Sequence, residues 1–307
     1  METTATKKRK IRWKKYIPFY IMMAPALIYV FINNYIPMAG IVVAFKDYKV
    51  NKGIFGCDWC GFKNFEFLFA TKDAWIITRN TLLYNVVFIV LGTACAIAVA
   101  ILLNEIHSSA AKKIYQTTIL VPFLISIVVV SYLVYAFLST ESGFLNKTIL
   151  PALGLEPVSW YTESKYWPFI LILVNLWKGL GYNCIIYYAT LLGIDRGYYE
   201  AAVIDGANRW QQALHITLPM IAPTIAIMLI FAVGDIMSST TDLILLLYNN
   251  ATMKTADVFG TYVYREGLLT GKTSLGTAIG LFASTVNLIL VFIANKCSNK
   301  ISGDGLF

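Results

Sequence analysis

The sequence carries too little charge to coat a water-soluble domain of its length. Asp, Glu, Lys and Arg make up 14% of it, against about one-quarter in an average globular protein. Histidine is scarcer still. His107 and His215 are the only two, and they leave no Ser/His/Asp or Cys/His relay to assemble. There is no glycine-rich phosphate loop, so the chain is not expected to bind ATP itself. No internal repeat, low-complexity tract or soluble stretch large enough for an enzyme site is visible. Catalytic residues, metal ligands and bound cofactors are therefore expected to be none. The five cysteines are scattered. Cys95, Cys184 and Cys297 fall in or beside apolar runs, where they act as small hydrophobes. Cys57 and Cys60 form one C-x-x-C in a loop. Zinc would need two further ligands, and both histidines are far away in sequence. The pair is read as ordinary loop cysteines, with a disulfide as the alternative.

Apolar residues, by contrast, fill 58% of the chain and are gathered in long runs, which points to a bilayer as solvent. A hydrocarbon core of about 30 Å needs roughly 20 mostly apolar helical residues per crossing. Six stretches qualify: 17–45, interrupted by Asn33, Asn34 and Pro37, then 81–103, 117–138, 167–192, 220–247 and 274–294. The expected fold class is an all-α integral membrane protein with six transmembrane helices. The apolar stretch near the start is long, lacks a small-residue cleavage site and continues into more of the same, so a cleavable leader is not expected.

The net charge of +8 does not imply nucleic acid. Its excess lies in Lys7, Lys8, Arg9, Lys10, Arg12, Lys14 and Lys15. Basic residues just before an apolar span are a topology signal and a contact for anionic lipid. Residues 1–16 are thus expected to form a basic cytoplasmic tail, 17–297 a six-span membrane domain, and 298–307 a short cytoplasmic tail. An even number of spans puts both termini on one side. Residues 46–80, 139–166 and 248–273 then fall outside, and 104–116 and 193–219 inside.

The inner connector 193–219 has the local signals of structure. Asp195 is a good N-cap, residues 200–204 favour a short helix, and Gly206 is a natural residue on which to end it. A second helical piece follows through Trp210, Gln211, Leu214 and Ile216, and Pro219 opens the fifth span, where a proline is tolerated. Ala201 and Ala202 permit close backbone approach, and acids and aromatics stand beside them. Such a helix suits another protein's groove, although a surface helix without a partner is the simpler physical reading.

Glu200-Ala-Ala202, Asp205-Gly-Ala207, and Ile216, Leu218 and Pro219 resemble the EAA loop of permease subunits in bacterial ABC importers. Tyr35-Ile-Pro-Met-Ala-Gly40, Ala44-Phe-Lys-Asp-Tyr48, Trp177-Lys-Gly-Leu-Gly-Tyr-Asn183 and Thr261-Tyr-Val-Tyr-Arg-Glu-Gly-Leu268 are similar to LplB-type, MalF-like carbohydrate permeases. The likeness covers nearly the whole chain. Ala213 and Leu214 depart from it, standing where the sugar-importer subfamily often has bulky aromatics. The resemblance implies the transmembrane domain of a type I ABC importer in the bacterial cytoplasmic membrane. It also implies a second homologous permease, two ATPase subunits that hold the ATP and magnesium, and an extracytoplasmic solute-binding protein or lipoprotein. The ATPase-coupling residues would be Tyr198, Tyr199, Glu200, Ala201, Ala202, Asp205, Gly206 and Ala207, and the cargo a carbohydrate, most naturally an oligosaccharide.

Polar residues inside spans are costly unless they face a partner or a cavity. Asn175, Trp177, Tyr182 and Asn183 in span four, and Ser238, Ser239, Thr240, Thr241 and Asp242 in span five, are the candidate substrate path. Asn33, Asn34 and Tyr35 join them from span one. The alternative for each is interhelical glue. For Lys178 and Asp235 it is snorkelling to an interface. A gradient-driven secondary transporter would show paired repeats, and an integral-membrane enzyme would need catalytic polar residues gathered at one bilayer face. Neither pattern is visible.

Overall fold

The computed structural model describes residues 13–238 and 240–302. Most of the basic tail (1–12), Ser239 in the candidate path, and 303–307 lie outside the described residues. Among the described residues the chain is helical, with a lone antiparallel bridge between Lys46 and Trp59. Its long helices are α1 (Tyr16–Phe45), α2 (Lys72–Glu105), α3 (Ser109–Leu124), α4 (Ile127–Leu138), α5 (Trp167–Leu191), the short α6 (Arg196–Ile204), α7 (Arg209–Gly234), the short α8 (Thr241–Leu247) and α9 (Thr273–Ser302). Five of them are long and apolar enough to cross a bilayer, and the bent pair α3–α4, taken as one broken span, brings the number to six.

Local chemistry places the helix ends. The Thr71 hydroxyl accepts from Ala74 N–H at 3.2 Å and starts α2. That of Ser108 accepts from Ala111 N–H at 3.3 Å and starts α3. In α1 the turn Phe31–Tyr35 widens to π geometry. Asn33 and Asn34 donate there to the Tyr29 and Val30 carbonyls at 2.9 and 3.2 Å, satisfying their amides on their own helix. Most of α1 is exposed. Its last turns, Ala39–Phe45, pack on α9.

Two expected spans are broken. The stretch 117–138 reads as one apolar run, yet α3 and α4 meet at 95°. Ser126 caps α4 by accepting from Val129 N–H at 3.4 Å, and Pro122, without an N–H, sits in the last turns of α3. The fifth span does not run 220–247. It occupies Arg209–Gly234, the chain turns from Asp235 to Ser238, and α8 begins at Thr241. The turn is fixed from outside, since Asn287 on α9 accepts Met237 N–H at 3.0 Å and Asp235 accepts from the Ser238 hydroxyl. Thr240 sits at φ +67, a left-handed conformation that a β-branched residue rarely adopts. Helix α9 also continues to Ser302, through the first part of the expected C-terminal tail.

The spans pack through small residues that let backbones approach. Ala96 and Ala100 on α2 meet Cys184, Tyr187, Tyr188 and Leu191 of α5 in one buried cluster with Ile221. A second cluster joins Tyr84 and Phe88 of α2 to Val130 and Val134 of α4, Trp167 and Leu171 of α5, and Leu243 of α8. At Gly181 a side chain would collide with the Ile119 carbonyl group of α3 and stand 2.9 Å from the Leu120 Cα. Because these are backbone atoms, Gly181→Ala should separate α3 from α5 and cost about 1–3 kcal/mol as overpacking. A lowered melting temperature of the detergent-purified protein is the expected result, and an unchanged one would contradict this packing.

The connectors sort onto two faces as the alternation of spans requires. On one face Tyr48 N–H donates to Ser274 Oγ at 2.9 Å, Asn80 Nδ2 to the Asp257 carbonyl at 3.0 Å, Thr255 Oγ1 to the Ser164 carbonyl at 2.9 Å and Asn249 Nδ2 to the Tyr161 carbonyl at 2.8 Å. These bonds knit 46–80, 139–166 and 248–273 together. Cys57 and Cys60 lie there, both as free thiols. Cys57 is buried and donates to the Gly53 carbonyl at 3.0 Å, while Cys60 accepts from Asn64 Nδ2 at 3.3 Å. The opposite face holds 104–116 and 193–219.

Candidate coupling segment and translocation path

The segment 193–219 is built as its sequence signals require. Asp195 caps α6, its carboxylate accepting Gly197 N–H at 3.0 Å. The helix ends in a pair of reverse bonds, Gly206 N–H to the Val203 carbonyl at 3.1 Å and Ala207 N–H to the Ala202 carbonyl at 2.9 Å. This is a Schellman motif, and it needs a left-handed residue at Gly206 (φ +79). Asn208 then caps α7 in a reciprocal box with Gln211, Gln211 N–H to Asn208 Oδ1 at 2.9 Å and Asn208 N–H to Gln211 Oε1 at 2.8 Å. Helix α7 passes through a π turn, Ala213–Thr217, before Pro219. The second helical piece and the fifth span are thus one helix, with the proline inside it and not at its start.

Two contacts hold this hairpin of helices to the spans. Tyr199 Oη lies 3.0 Å from Thr217 Oγ1, so Tyr199 faces its own chain and braces α6 on α7. Arg209 pairs with Glu105 at the end of α2. Between the ends of α2, α3 and α5 and the two connector helices runs a groove of about 810 Å³, lined by Glu105, Lys112, Arg196, Glu200 and Gln212 among others. A second hollow of about 370 Å³ lies beside Ala202, Gly206, Ala207 and His215.

The outer face of α6 is unusual for a solvated connector. Tyr198, Glu200, Ala201, Asp205 and Gly206 are exposed, and so are Val203, Ile204 and Trp210, with Ile204 86% exposed. The last three were read from the sequence as helix formers and not as coupling residues. Their signal is present, however, as apolar residues beside a helix stop in a connector with no hydrophobic face left to bury. An exposed apolar patch next to a rigid turn is what an interaction site looks like.

The path residues fall into two separately anchored groups. Asn175, Trp177, Tyr182 and Asn183 lie on α5, and Tyr182 stacks on Phe123 of α3 with centroids 4.8 Å apart and planes at 16°. Trp177 and Tyr182 are 43% and 48% exposed, so both keep a face free. Ser238, Thr240, Thr241 and Asp242 lie in and after the break between α7 and α8, not inside a span. Thr241 donates to the Ser238 carbonyl at 2.9 Å, and Asn287 Nδ2 to Ser238 Oγ at 3.4 Å. Phe123 escaped notice in the sequence because it is one aromatic within an apolar run. Lys178 does not snorkel, because its ammonium is bound to backbone carbonyls of the broken span.

The loop face carries a largely buried ion pair. Arg265 Nη2 meets Asp257 Oδ2 at 2.8 Å, with side chains 24% and 8% exposed. Thr261 Oγ1 donates to Asp257 Oδ1 at 2.6 Å, and Arg265 also reaches Tyr248 Oη at 3.4 Å. Burial by itself would lower the Arg265 pKa, but its bonds to Asp257 and Tyr248 carry it above the usual arginine value. The neighbouring Tyr262 is pushed up to about 12, first by burial and then by Glu266 and Asp73. Among the described residues no group of three or more His, Cys, Asp or Glu side chains is placed to hold a metal ion.

The fold is a polytopic helical bundle with a structured connector between two spans, and its class is given by the proteins it is related to. The chain belongs to the family described as binding-protein-dependent transport system inner membrane component, which matches residues 89–302. It is 35% identical over 288 residues to Protein LplB of Bacillus subtilis (strain 168), covering 94% of this chain and 90% of that protein. It is 36% identical over 298 residues to the polygalacturonan/rhamnogalacturonan transport system permease protein YteP of the same organism, covering 97% and 92%. The fold matches a chain of a bacterial ABC transporter involved in the import of the acidic polysaccharide alginate, with TM-score 0.87, 37% identity and coverage of 94% and 97%. A chain of the bacterial alginate transporter in complex with alginate pentasaccharide-bound periplasmic protein matches at 0.88 with 36% identity, covering 95% and 98%. The chain is thus an ABC transporter permease with the fold of an ABC importer transmembrane domain, as its resemblance implied.

Proposed function

We propose that this chain forms, with a second homologous permease, the translocation path of an ATP-driven carbohydrate importer. The path would take an oligosaccharide handed over by an extracytoplasmic solute-binding protein. Of two ATPase subunits holding ATP and magnesium, one would dock on α6 through Tyr198, Glu200, Ala201, Ala202, Asp205, Gly206 and Ala207, with Ile204 and Trp210 widening the contact. In that arrangement residues 193–219 and both termini are cytoplasmic. The observation that carries this reading is the capped, glycine-stopped helix α6, which presents exposed apolar and acidic residues while Tyr199–Thr217 braces it on α7 and Arg209–Glu105 ties α7 to α2. Motion of the ATPases applied at α6 would pass into α2 and α7 and bias the bundle between inward- and outward-facing packings, a shift between two states.

The relatives' acidic polysaccharide cargo guides two of the probes, and a neutral oligosaccharide is the third. Membranes containing the chain should yield, on affinity purification, two ATPase subunits and a second permease. Proteoliposomes of that assembly, supplied with its binding protein, should take up labelled oligogalacturonides, alginate oligosaccharides or maltooligosaccharides only when ATP is enclosed. Uptake driven by an ion gradient without ATPase subunits would overturn the proposal.

A further inference from the structure

Lys178 lies in the middle of α5, and its ammonium donates to three carbonyls of a different span. They are those of Ile125 at 2.7 Å, Phe123 at 3.2 Å and Pro122 at 3.5 Å. These are the groups left without intrahelical partners where α3 ends and α4 departs at 95°. In hydrocarbon each such carbonyl costs several kcal/mol if unsatisfied, so a break survives only where a neighbouring element pairs it. An ammonium has three donors and no acceptor, and all three point at the backbone here, leaving none for a solute carboxylate. The cation also sits at the negative end of the α3 dipole.

The same contact orients an aromatic pair. Lys178 Nζ is 5.9 Å from the centroid of the Phe123 ring, and that ring stacks on Tyr182, which lies one helical turn beyond Lys178. Gly181 brings the two backbones close enough for the stack to form. Phe123 and Tyr182 both keep exposed faces, 41% and 48%, and flat aromatic faces are what a pyranose ring packs against.

We infer that Lys178 is a positioning residue. It caps the broken third span from within the bilayer and thereby holds the Phe123–Tyr182 pair as a preformed stacking surface for a sugar ring. The stacking clause rests on the importer function proposed above, whereas the capping clause does not.

The test uses the intact importer with native cysteines replaced and spin labels at Tyr115→Cys and Tyr132→Cys, exposed positions on either side of the break. A right-angled break puts these positions about 18 Å apart along the helix axes, and a straightened helix about 25 Å, at about 1.5 Å per residue. Lys178→Met keeps the unbranched stem of the side chain and removes its donors, so it should shift the distance distribution toward the longer value. Lys178→Arg, which retains donors, should restore the short one. An unchanged distribution in the methionine variant would overturn the cap. Should that variant fail to accumulate, Lys178→Gln, one atom shorter and with two donors in place of three, cannot reach all three carbonyls and should show a broadened distribution, and a wild-type one would count against the cap. In uptake assays Lys178→Met should lose about tenfold with both neutral maltooligosaccharide and acidic oligogalacturonide, and Lys178→Arg should recover to within about threefold. A loss confined to the acidic probe would overturn the positioning role, because the ammonium would then be binding carboxylates. If the wild type imports none of the probes, the importer reading fails while the distance measurement still decides the cap.

Discussion

Gly206→Val is expected to abolish productive coupling while leaving the chain in the membrane. The residue stands at φ +79, and space around it is open, so the obstacle is conformational and not steric crowding. A left-handed conformation costs an ordinary residue roughly 1–2 kcal/mol, and a β-branched one is a genuine outlier there. The valine variant would release that strain by giving up the two reverse bonds that end α6, and the exposed rim Glu200–Asp205 would lose its fixed angle to α7. Transport should fall about tenfold or more, the equivalent of about 1.4 kcal/mol or above. ATP hydrolysis by the assembled complex should persist without dependence on the binding protein. Gly206→Asn, a residue that tolerates the left-handed region, should keep most activity. A valine variant that transports at the wild-type rate would remove the coupling role from this turn.

The second large effect is expected at the loop face. Arg265→Leu would leave the Asp257 carboxylate buried and without its cation, keeping the hydrogen bond from the Thr261 hydroxyl. Removing one partner of a buried pair costs on the order of 3–5 kcal/mol, because the remaining charge is left uncompensated. At about 2 °C per kcal/mol for a chain of this size, the melting midpoint in detergent should drop by roughly 6–10 °C. Arg265→Lys keeps the charge but loses the two-pronged geometry and should fall between. The pair sits beside Asn80 and Thr81 of α2, which bond to the Asp257 carbonyl and to Phe259 N–H at 3.0 Å each. Local loosening of residues 248–265 should therefore appear first in hydrogen exchange. A leucine variant as stable as the wild type would mean that apolar packing alone anchors this segment.

Much of this was written locally along the chain. The coupling segment was legible because capping chemistry acts over a few residues. Asp195, Gly206 and the spacing between them specify a helix of one length, and the structure draws it so. The apolar stretches were legible because a bilayer imposes a length, and each of the six is found as a span or as part of one. Cys184 sits buried as a small hydrophobe, as its apolar surroundings implied.

The breaks were not legible, for a physical reason. From Ile119 to Leu138 the sequence is almost uniformly apolar, and neither Pro122 nor Ser126 alone ends a helix inside a membrane, where both are often tolerated. What permits the break is Lys178, more than fifty residues away. The end of the fifth span likewise depends on Asn287, fifty residues beyond Met237. The sequence by itself determined a membrane-spanning helical chain, the positions of its apolar spans and the shape of the connector between the fourth and fifth. The tertiary structure alone decided where two spans bend, which path residues leave the helices, and that Lys178 and Asn287 are structural partners. A helix propagates on nearest-neighbour rules, whereas a break in hydrocarbon exists only if a distant side chain arrives to satisfy the backbone.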